Sequence, residues 1–305
     1  MAAISTENLC KTYSGASVTR AVKDLNLEVR EGEVFGFLGP NGAGKTSTIH
    51  MLLNLTRPSA GTARLFDRPV TEMEVHRRLG YLPESVNLHD YYRGRGLLDF
   101  YGKLCGVPDD TRAARVTELL ALLQLEDAAN KRVSKYSKGM AQRIGFAQAM
   151  LHDPDLLILD EPTASLDPVG RKEFRDILLE LKRRGKTVFI SSHILSEVES
   201  VCDRVAILQN GELKRVGTLQ ELSAAKGGEL VVKTLPAPII EALSSTAAEI
   251  TFLQGQVTIR CPDDALLETV ENLLREHRVE IVDKGTKAQT LEEIFFSIIN
   301  AEPKP

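Results

Sequence analysis

Residues 39 to 47 read Gly39-Pro40-Asn41-Gly42-Ala43-Gly44-Lys45-Thr46-Ser47, a complete G-x-x-x-x-G-K-[ST] run between the apolar residues Val34 to Leu38 and a helix-like stretch, Ser47 to Leu55. In such a run the glycines let the backbone turn tightly and bring several N–H groups onto the β- and γ-phosphates of a nucleotide, while the helix that follows points its positive end at the same oxygens. Lys45 adds a point charge. Thr46 can place its hydroxyl on the Mg²⁺ that bridges the phosphates, and Ser47 reaches the α-phosphate. A second pair, Asp160-Glu161, closes the apolar run Leu156 to Leu159. Both carboxylates then emerge at the carboxyl end of a parallel strand, where α/β sheets bind ligands. Phosphoryl chemistry needs one carboxylate to hold Mg²⁺ and another to polarise the attacking water; Asp160 suits the first role and Glu161 the second. Alone the pair would read as solvated acids at a strand end. With Lys45 in the same chain it reads as the other half of a nucleotide site.

The elements that must carry these residues are legible as patterns. Ile4 to Leu9 alternates as a half-buried strand does, and Leu25, Leu27 and Val29 face one way with Asn26 and Glu28 the other. Val34 to Leu38 reads as a buried parallel strand that feeds the phosphate loop directly. From Tyr81 to about Asp153 the spacing turns helical, with Leu97, Leu98, Tyr101 and Leu104 on one face and Val116, Leu119, Leu120 and Leu123 on another. The last helix of this stretch opens at Ser137 and runs to about His152, with Ile144, Ala147, Gln148 and Leu151 on its stripe. Parallel-sheet grammar returns with Leu156 to Leu159 and Val188 to Ile190. The helix between them has Asp167 as cap, Pro168 at its first position and Gly185 at its end. Asn210-Gly211 between Val205–Leu208 and Leu213–Val216 signals a hairpin.

Beyond Leu222, Ala224-Ala225-Lys226-Gly227-Gly228 reads as a linker. After it come strand Leu230 to Leu235, helix Pro238 to Leu243, strands Glu249 to Leu253 and Val257 to Arg260, helix Asp264 to His277, strand Val279 to Asp283 and helix Leu291 to Ile299. The order β-α-β-β-α-β is the split ferredoxin-like pattern. A length of 305 residues suits one large α/β domain with a small appendage, or two medium domains. With net charge −4 the chain has no global basic field to recruit nucleic acid or anionic lipid. Its four cysteines are scattered without a C-x-x-C pair, which argues against a zinc site and fits a reducing cytosol. The N-terminal residues lack a signal-peptide pattern, and no apolar stretch approaches the roughly 18 to 20 residues a membrane span needs.

Taken with further motifs, these features resemble the ATP-binding subunit of an ABC transporter over about residues 4 to 222. Tyr13 matches the family's adenine-stacking aromatic. Tyr81-Leu82-Pro83-Glu84 matches the segment that senses γ-phosphate and Mg²⁺ and touches the membrane subunit. Tyr136-Ser137-Lys138-Gly139-Met140-Ala141-Gln142-Arg143 matches the signature segment, Ser165-Leu166-Asp167 the loop between protomers, and Ser191-Ser192-His193 supplies the switch histidine, whose expected contact is the γ-phosphate. The resemblance implies an α/β P-loop NTPase of ABC type, 1–222, with an N-terminal antiparallel β-subdomain and a helical subdomain over about 84–153. A small α+β accessory domain, 229–305, follows it.

Two departures stand out. Glu84 replaces the usual Gln and can act as a metal ligand beside Thr46 and Asp160, which tightens Mg²⁺ dependence. In the signature, usually L-S-G-G-Q, Lys138 and Met140 replace Gly and Gln, while Ser137 and Gly139, whose hydroxyl and N–H must reach a phosphate, remain. This Y-S-K-G-M form with Y-L-P-E upstream resembles the branch that serves exporter-type permeases. Ser137 also caps a long helix carrying roughly half a positive charge at its N-terminus, and a second chain packed head to tail would direct that end at the first chain's ATP.

The aromatic set Tyr91, Tyr92, Phe100 and Tyr101 fits either a helical-subdomain core or a groove for a permease helix. Lys182-Arg183-Arg184 fits a solvated helix end. The leading expectation is an energy-coupling ATPase, peripheral on the cytoplasmic face of the membrane, with ATP, an integral membrane permease and a second protomer as partners and no nucleic acid. A chromosome or repair ATPase would need a long coiled coil between Lys45 and Asp160, and no sustained heptad lies there. Ribosome-acting relatives carry two cassettes in one chain. A switch module with little turnover is the other-class rival, and Glu161 with His193 argues against it.

Overall fold

Strand β1 (Ala2–Ser14) pairs antiparallel with β2 (Val18–Arg30), with Ile4 opposite Val29 and Thr6 opposite Leu27. The alternation read from the sequence is realised: Leu25, Leu27 and Val29 are buried and Asn26 and Glu28 exposed. Strand β3 (Val34–Leu38), buried at all five positions, leads into α1 (Lys45–Leu52). The chain continues through β4 (Ala60–Leu65), β5 (Arg68–Pro69), α2 (Met73–His76) and β6 (Leu79–Leu82), then α3 (Gly94–Leu104), α4 (Asp109–Leu122) and α5 (Lys138–Met150). It returns to the sheet with β7 (Leu156–Asp160), α6 (Pro168–Arg183), β8 (Thr187–Ser192), α7 (Leu195–Val201), β9 (Arg204–Gln209) and β10 (Glu212–Thr218). This is a computed structural model, and it describes residues 1–14, 18–223, 228–244, 246–253, 256–261, 264–285 and 290–300.

Two sheets organise the first compact unit, which comprises residues 1–219 with 298–300. One is antiparallel in the order β2-β1-β4-β5; the other runs β10-β9-β3-β8-β7-β6, parallel from β9 to β6 and closed by the β9–β10 hairpin. At the hairpin tip Asn210 and Gly211 take φ of 51° and 81°, the positive values a two-residue type I′ turn requires. Every residue of β7 and β8 is buried, as expected of strands covered on both faces.

Two features differ from the sequence reading. Tyr81 does not open the helical stretch but lies in β6, the edge strand beside β7. Four residues with a glycine in the middle carry no periodic signal, and Gly80 is there because a Cβ would meet Ala149 O at 2.2 Å. Leu104, at helical spacing with Leu97 and Leu98, is 68% exposed, because it ends α3 past the packed face, whereas the other two are fully buried.

The second compact unit spans Gln220–Ser297. After α8 (Leu219–Ser223) come β11 (Gly228–Val232), α9 (Ala237–Ser244), β12 (Glu249–Leu253), β13 (Gln256–Cys261), α10 (Asp264–Glu276), β14 (Ile281–Gly285) and α11 (Leu291–Asn300). The sheet order is β12-β13-β11-β14 with every pairing antiparallel, the ferredoxin-like arrangement. Its core holds Leu230, Val232, Val257 and Ile259 from the sheet and Ile239, Val270 and Leu274 from α9 and α10. Strand β14 starts at Ile281 rather than Val279, because Val279 N–H closes α10 on Leu274 O at 2.9 Å. Residues 224–227 of the linker lie outside the described residues.

Candidate active site

The phosphate loop is built on left-handed glycines. Gly42 has φ 83° and Gly44 φ 103°, and a Cβ on Gly44 would lie 2.3 Å from Ala21 O, so only glycine fits there. Gly44 also stands as N-cap of α1 with no side chain to cap it, which leaves the first N–H groups of the helix free for a ligand. Lys45 is 6% exposed. Its Nζ donates to Gly39 O at 2.6 Å and Pro40 O at 3.4 Å and lies 3.2 Å from Glu161 Oε1.

The parallel register sets Asp160 on β7 level with Ser191 on β8. Asp160 is buried; its Oδ1 accepts from Ser191 Oγ at 2.5 Å and its Oδ2 from Thr46 Oγ1 at 3.1 Å. Glu161 takes a left-handed φ of 46°, rare for a residue with a side chain, and its Oε2 is 2.8 Å from His193 Nδ1. Its other oxygen, Oε1, is buried and has the Lys45 charge nearby, yet no donor is aligned to hydrogen-bond it. A cleft of about 490 Å³ opens beside these groups, lined by residues 40–47 with Thr19, Ala21, Glu84, Glu161 and His193, while Asp160 and Ser191 lie outside its lining. That volume is ordinary for a small-molecule site.

Tyr13 does not line this cleft; it is 41% exposed, with its hydroxyl 3.4 Å from Ser47 Oγ and Lys11 Nζ 5.0 Å from its ring centroid. The Tyr81 phenol is pushed up to about 12, by burial first and then by the charges of Asp160 and Glu84, so it stays protonated beside both carboxylates. Thr46, Asp160 and Glu84 present oxygen only, which suits a hard cation such as Mg²⁺. Among the described residues no group of three or more acidic, histidine or cysteine side chains is placed to hold a metal by itself.

The signature segment is not brought to this cleft. Ser137 caps α5, its Oγ accepting from Met140 N at 3.2 Å; Ser137 and Lys138 are exposed, and Gly139 and Met140 half-buried. Asp167 caps α6, accepting from Gly170 N at 2.7 Å. The aromatic residues Tyr91, Tyr92, Phe100 and Tyr101 gather around His89, with Tyr91 and Tyr92 centroids 4.6 Å apart and those of Tyr92 and Phe100 5.3 Å apart. Tyr91 is 70% exposed, so this cluster is a surface feature rather than a buried core. Sequence reasoning quoted Tyr81 and Ser191 only as parts of their motifs, without a role of their own, and did not single out His89. For Ser191 a signal existed: a hydroxyl directly after the apolar strand residues Val188 to Ile190.

Residues 22–164 match the ABC transporter family model. YxlF, an ABC transporter ATP-binding protein of Bacillus subtilis, is 36% identical, with the match covering 98% of this chain and 100% of its own. The chain belongs to the ABC transporter ATP-binding proteins. As such it is an ATPase of the P-loop class and the ATP-binding subunit of a transporter. Nod factor export ATP-binding protein I of Burkholderia lata is 38% identical over 79% of this chain and 80% of its own. Among solved structures, the dimeric post-hydrolysis state of the ATP-binding cassette MJ0796 bound to ADP and Pi is similar at TM-score 0.66 and 25% identity, covering 71% of this chain and 98% of that one.

Proposed function

We propose that this ABC cassette drives an exporter: two copies close head to tail around two Mg-ATP, and a separate membrane permease turns the closure into transport. One observation carries the reading. Lys45, Thr46, Glu84, Glu161 and His193 meet in or at one cleft, while the positive end of α5 stands exposed outside it. The loop N–H groups and Lys45 hold the β- and γ-phosphates, and Tyr13 stacks on the adenine. Thr46 and Asp160, with Glu84 at the edge, would hold Mg²⁺, which would supply charge neutralisation of the phosphates. Phosphate oxygens compete with Glu161 for the Lys45 ammonium. Released from that pair, Glu161 polarises the attacking water, and His193, 2.8 Å away, keeps its carboxylate aimed. Ser137 and Gly139 of the second copy complete the phosphate shell, and Asp167 lies in the loop that reports its state.

The export reading draws on the likeness to the Nod factor export protein and places the cassette peripherally on the cytoplasmic face. No helix among the described residues is long and apolar enough to cross a membrane, so the output passes to another protein. The surface beside Glu84, with the aromatic cluster at Tyr91 to Tyr101, suits an amphipathic permease helix. The second unit then serves regulation or dimer pairing rather than nucleotide binding.

The test is size-exclusion chromatography of Glu161→Gln protein with saturating Mg-ATP, which should elute as a dimer. Co-expressed with its cognate permease, the chain should enter the membrane fraction and change its ATPase rate. Tyr92→Asp should weaken that change and spare basal hydrolysis. A strictly monomeric elution would overturn the composite site. A stoichiometric soluble partner in place of an integral membrane protein would replace export with the switch-module reading.

A further inference from the structure

We propose that Ser191 is the positioning residue that fixes the Asp160 carboxylate and the Glu161 backbone through one hydroxyl, and so sets the affinity of the site for Mg²⁺. The proposal rests on the reading of Asp160 as the metal carboxylate and Glu161 as the base. A serine hydroxyl has one proton, and an ionised carboxylate only accepts, so the 2.5 Å contact carries the Ser191 proton to Asp160 Oδ1. The Ser191 lone pairs then accept from Glu161 N–H at 3.1 Å, and the same N–H also donates to Ser191 O at 3.2 Å. These two bonds have separate consequences. With Oδ1 engaged, Asp160 can turn only Oδ2 toward Thr46, where it accepts at 3.1 Å. With its N–H held twice, Glu161 is kept at φ 46°, a conformation that side-chain-bearing residues seldom adopt.

Ser191 is 0% exposed, so no bulk water can replace the hydroxyl if it is removed. The neighbouring hydroxyl is not a substitute: Ser192 Oγ accepts from Ile194 N at 2.9 Å and serves the turn after β8. Groups that orient a metal ligand without touching the metal typically change metal affinity or activity by roughly 10- to 100-fold when removed.

The experiment measures binding of a fluorescent ATP analogue to the full chain, without divalent metal and across a Mg²⁺ titration. For Ser191→Ala the metal-free affinity should match wild type, and the Mg²⁺ midpoint should rise by roughly 10- to 100-fold. Ser191→Thr, which keeps the hydroxyl, should restore the midpoint, and Ser192→Ala should leave it unmoved. Should the alanine variant not fold, Ser191→Cys, of similar size and a weaker donor, takes its place with the same expected direction. A wild-type midpoint in the hydroxyl-lacking variant, or a threonine variant that behaves like it, overturns the proposal. Asp160→Asn separates the two levels of argument. If it shifts the midpoint and Ser191→Ala does not, the positioning role alone fails; if Asp160→Asn itself has no effect, the metal assignment beneath it fails.

Discussion

The chain presents two helix N-termini that each open on a lysine, α1 at Gly44-Lys45 and α5 at Ser137-Lys138, and they are built for different work. The α1 end has no side-chain cap, follows a left-handed glycine and buries its lysine to 6% exposure among carbonyls and a carboxylate. The α5 end is capped by its own Ser137 and leaves Lys138 in solvent. A helix end offers the same partial positive charge in both places. What differs is the company: α1 opens at the carboxyl end of β3, in the sheet whose strands β7 and β8 deliver Asp160 and Ser191, with His193 just after β8, whereas α5 projects from the helical insertion with no acidic residue in its own first turn. On the proposed function, one end runs phosphoryl chemistry and the other contributes charge and N–H groups to the partner's ATP. A single copy thus carries a chemical half and an electrostatic half that do not meet.

The strongest challenge to this division is Glu161→Gln, which should cut ATP turnover by roughly 10²- to 10⁴-fold while nucleotide binding persists. Undiminished steady-state hydrolysis would show that the α1 side does not hold the chemistry. Next is Gly139→Asp at the α5 end. A side chain fits there, since a Cβ would meet Leu166 Cδ2 at an ordinary 3.6 Å, and an acid in the first turn favours the helix itself. The folded monomer should bind ATP normally but lose ATP-driven dimerisation by about tenfold or more, because the new charge opposes the partner's phosphates. Light scattering with Mg-ATP would report it, and an unchanged dimer constant would remove α5 from the site.

A smaller effect is expected at Asp167. Asp167→Ala should lower stability by about 1 kcal/mol through loss of the α6 cap, and Asp167→Asn should recover it. A thermal melt of both variants separates capping from any role between protomers. The smallest effect concerns what anchors the helical insertion. Arg112, buried, reaches Asp99 at 2.7 Å, and this hydrogen bond first, then that from Lys103, holds the Asp99 carboxyl below its ordinary range. A depressed folded value means stabilisation that is full above the unfolded pKa of about 3.9 and is lost as pH falls through the folded value. Asp99→Asn should therefore melt at a slightly lower temperature at neutral pH and show less acid-side loss below about pH 4 than wild type.

Much of the cassette was legible because its signals are local. The phosphate loop, the Asp167-Pro168 start of α6 and the Asn210-Gly211 hairpin each depend on φ values and caps that a few consecutive residues dictate. Elements without a local signature were invisible: β6 is four residues long, and Tyr81 looked like the start of a helical stretch until its pairing with β7 placed it beside Asp160. The aromatic set was left between two readings by spacing alone, and only the packing around His89, with Tyr91 exposed, decided for the surface. By itself, then, the amino-acid order supplied the candidates for binding phosphate, holding a metal and activating water, since those capacities belong to side-chain chemistry and to backbone turns a few residues long. Tertiary structure alone decided that Thr46, Asp160, Ser191, Glu161 and His193 form one hydrogen-bonded chain while Ser137 stays outside it. The reason is register: β3, β7 and β8 are far apart along the chain, and only their parallel pairing sets the ends of all three level.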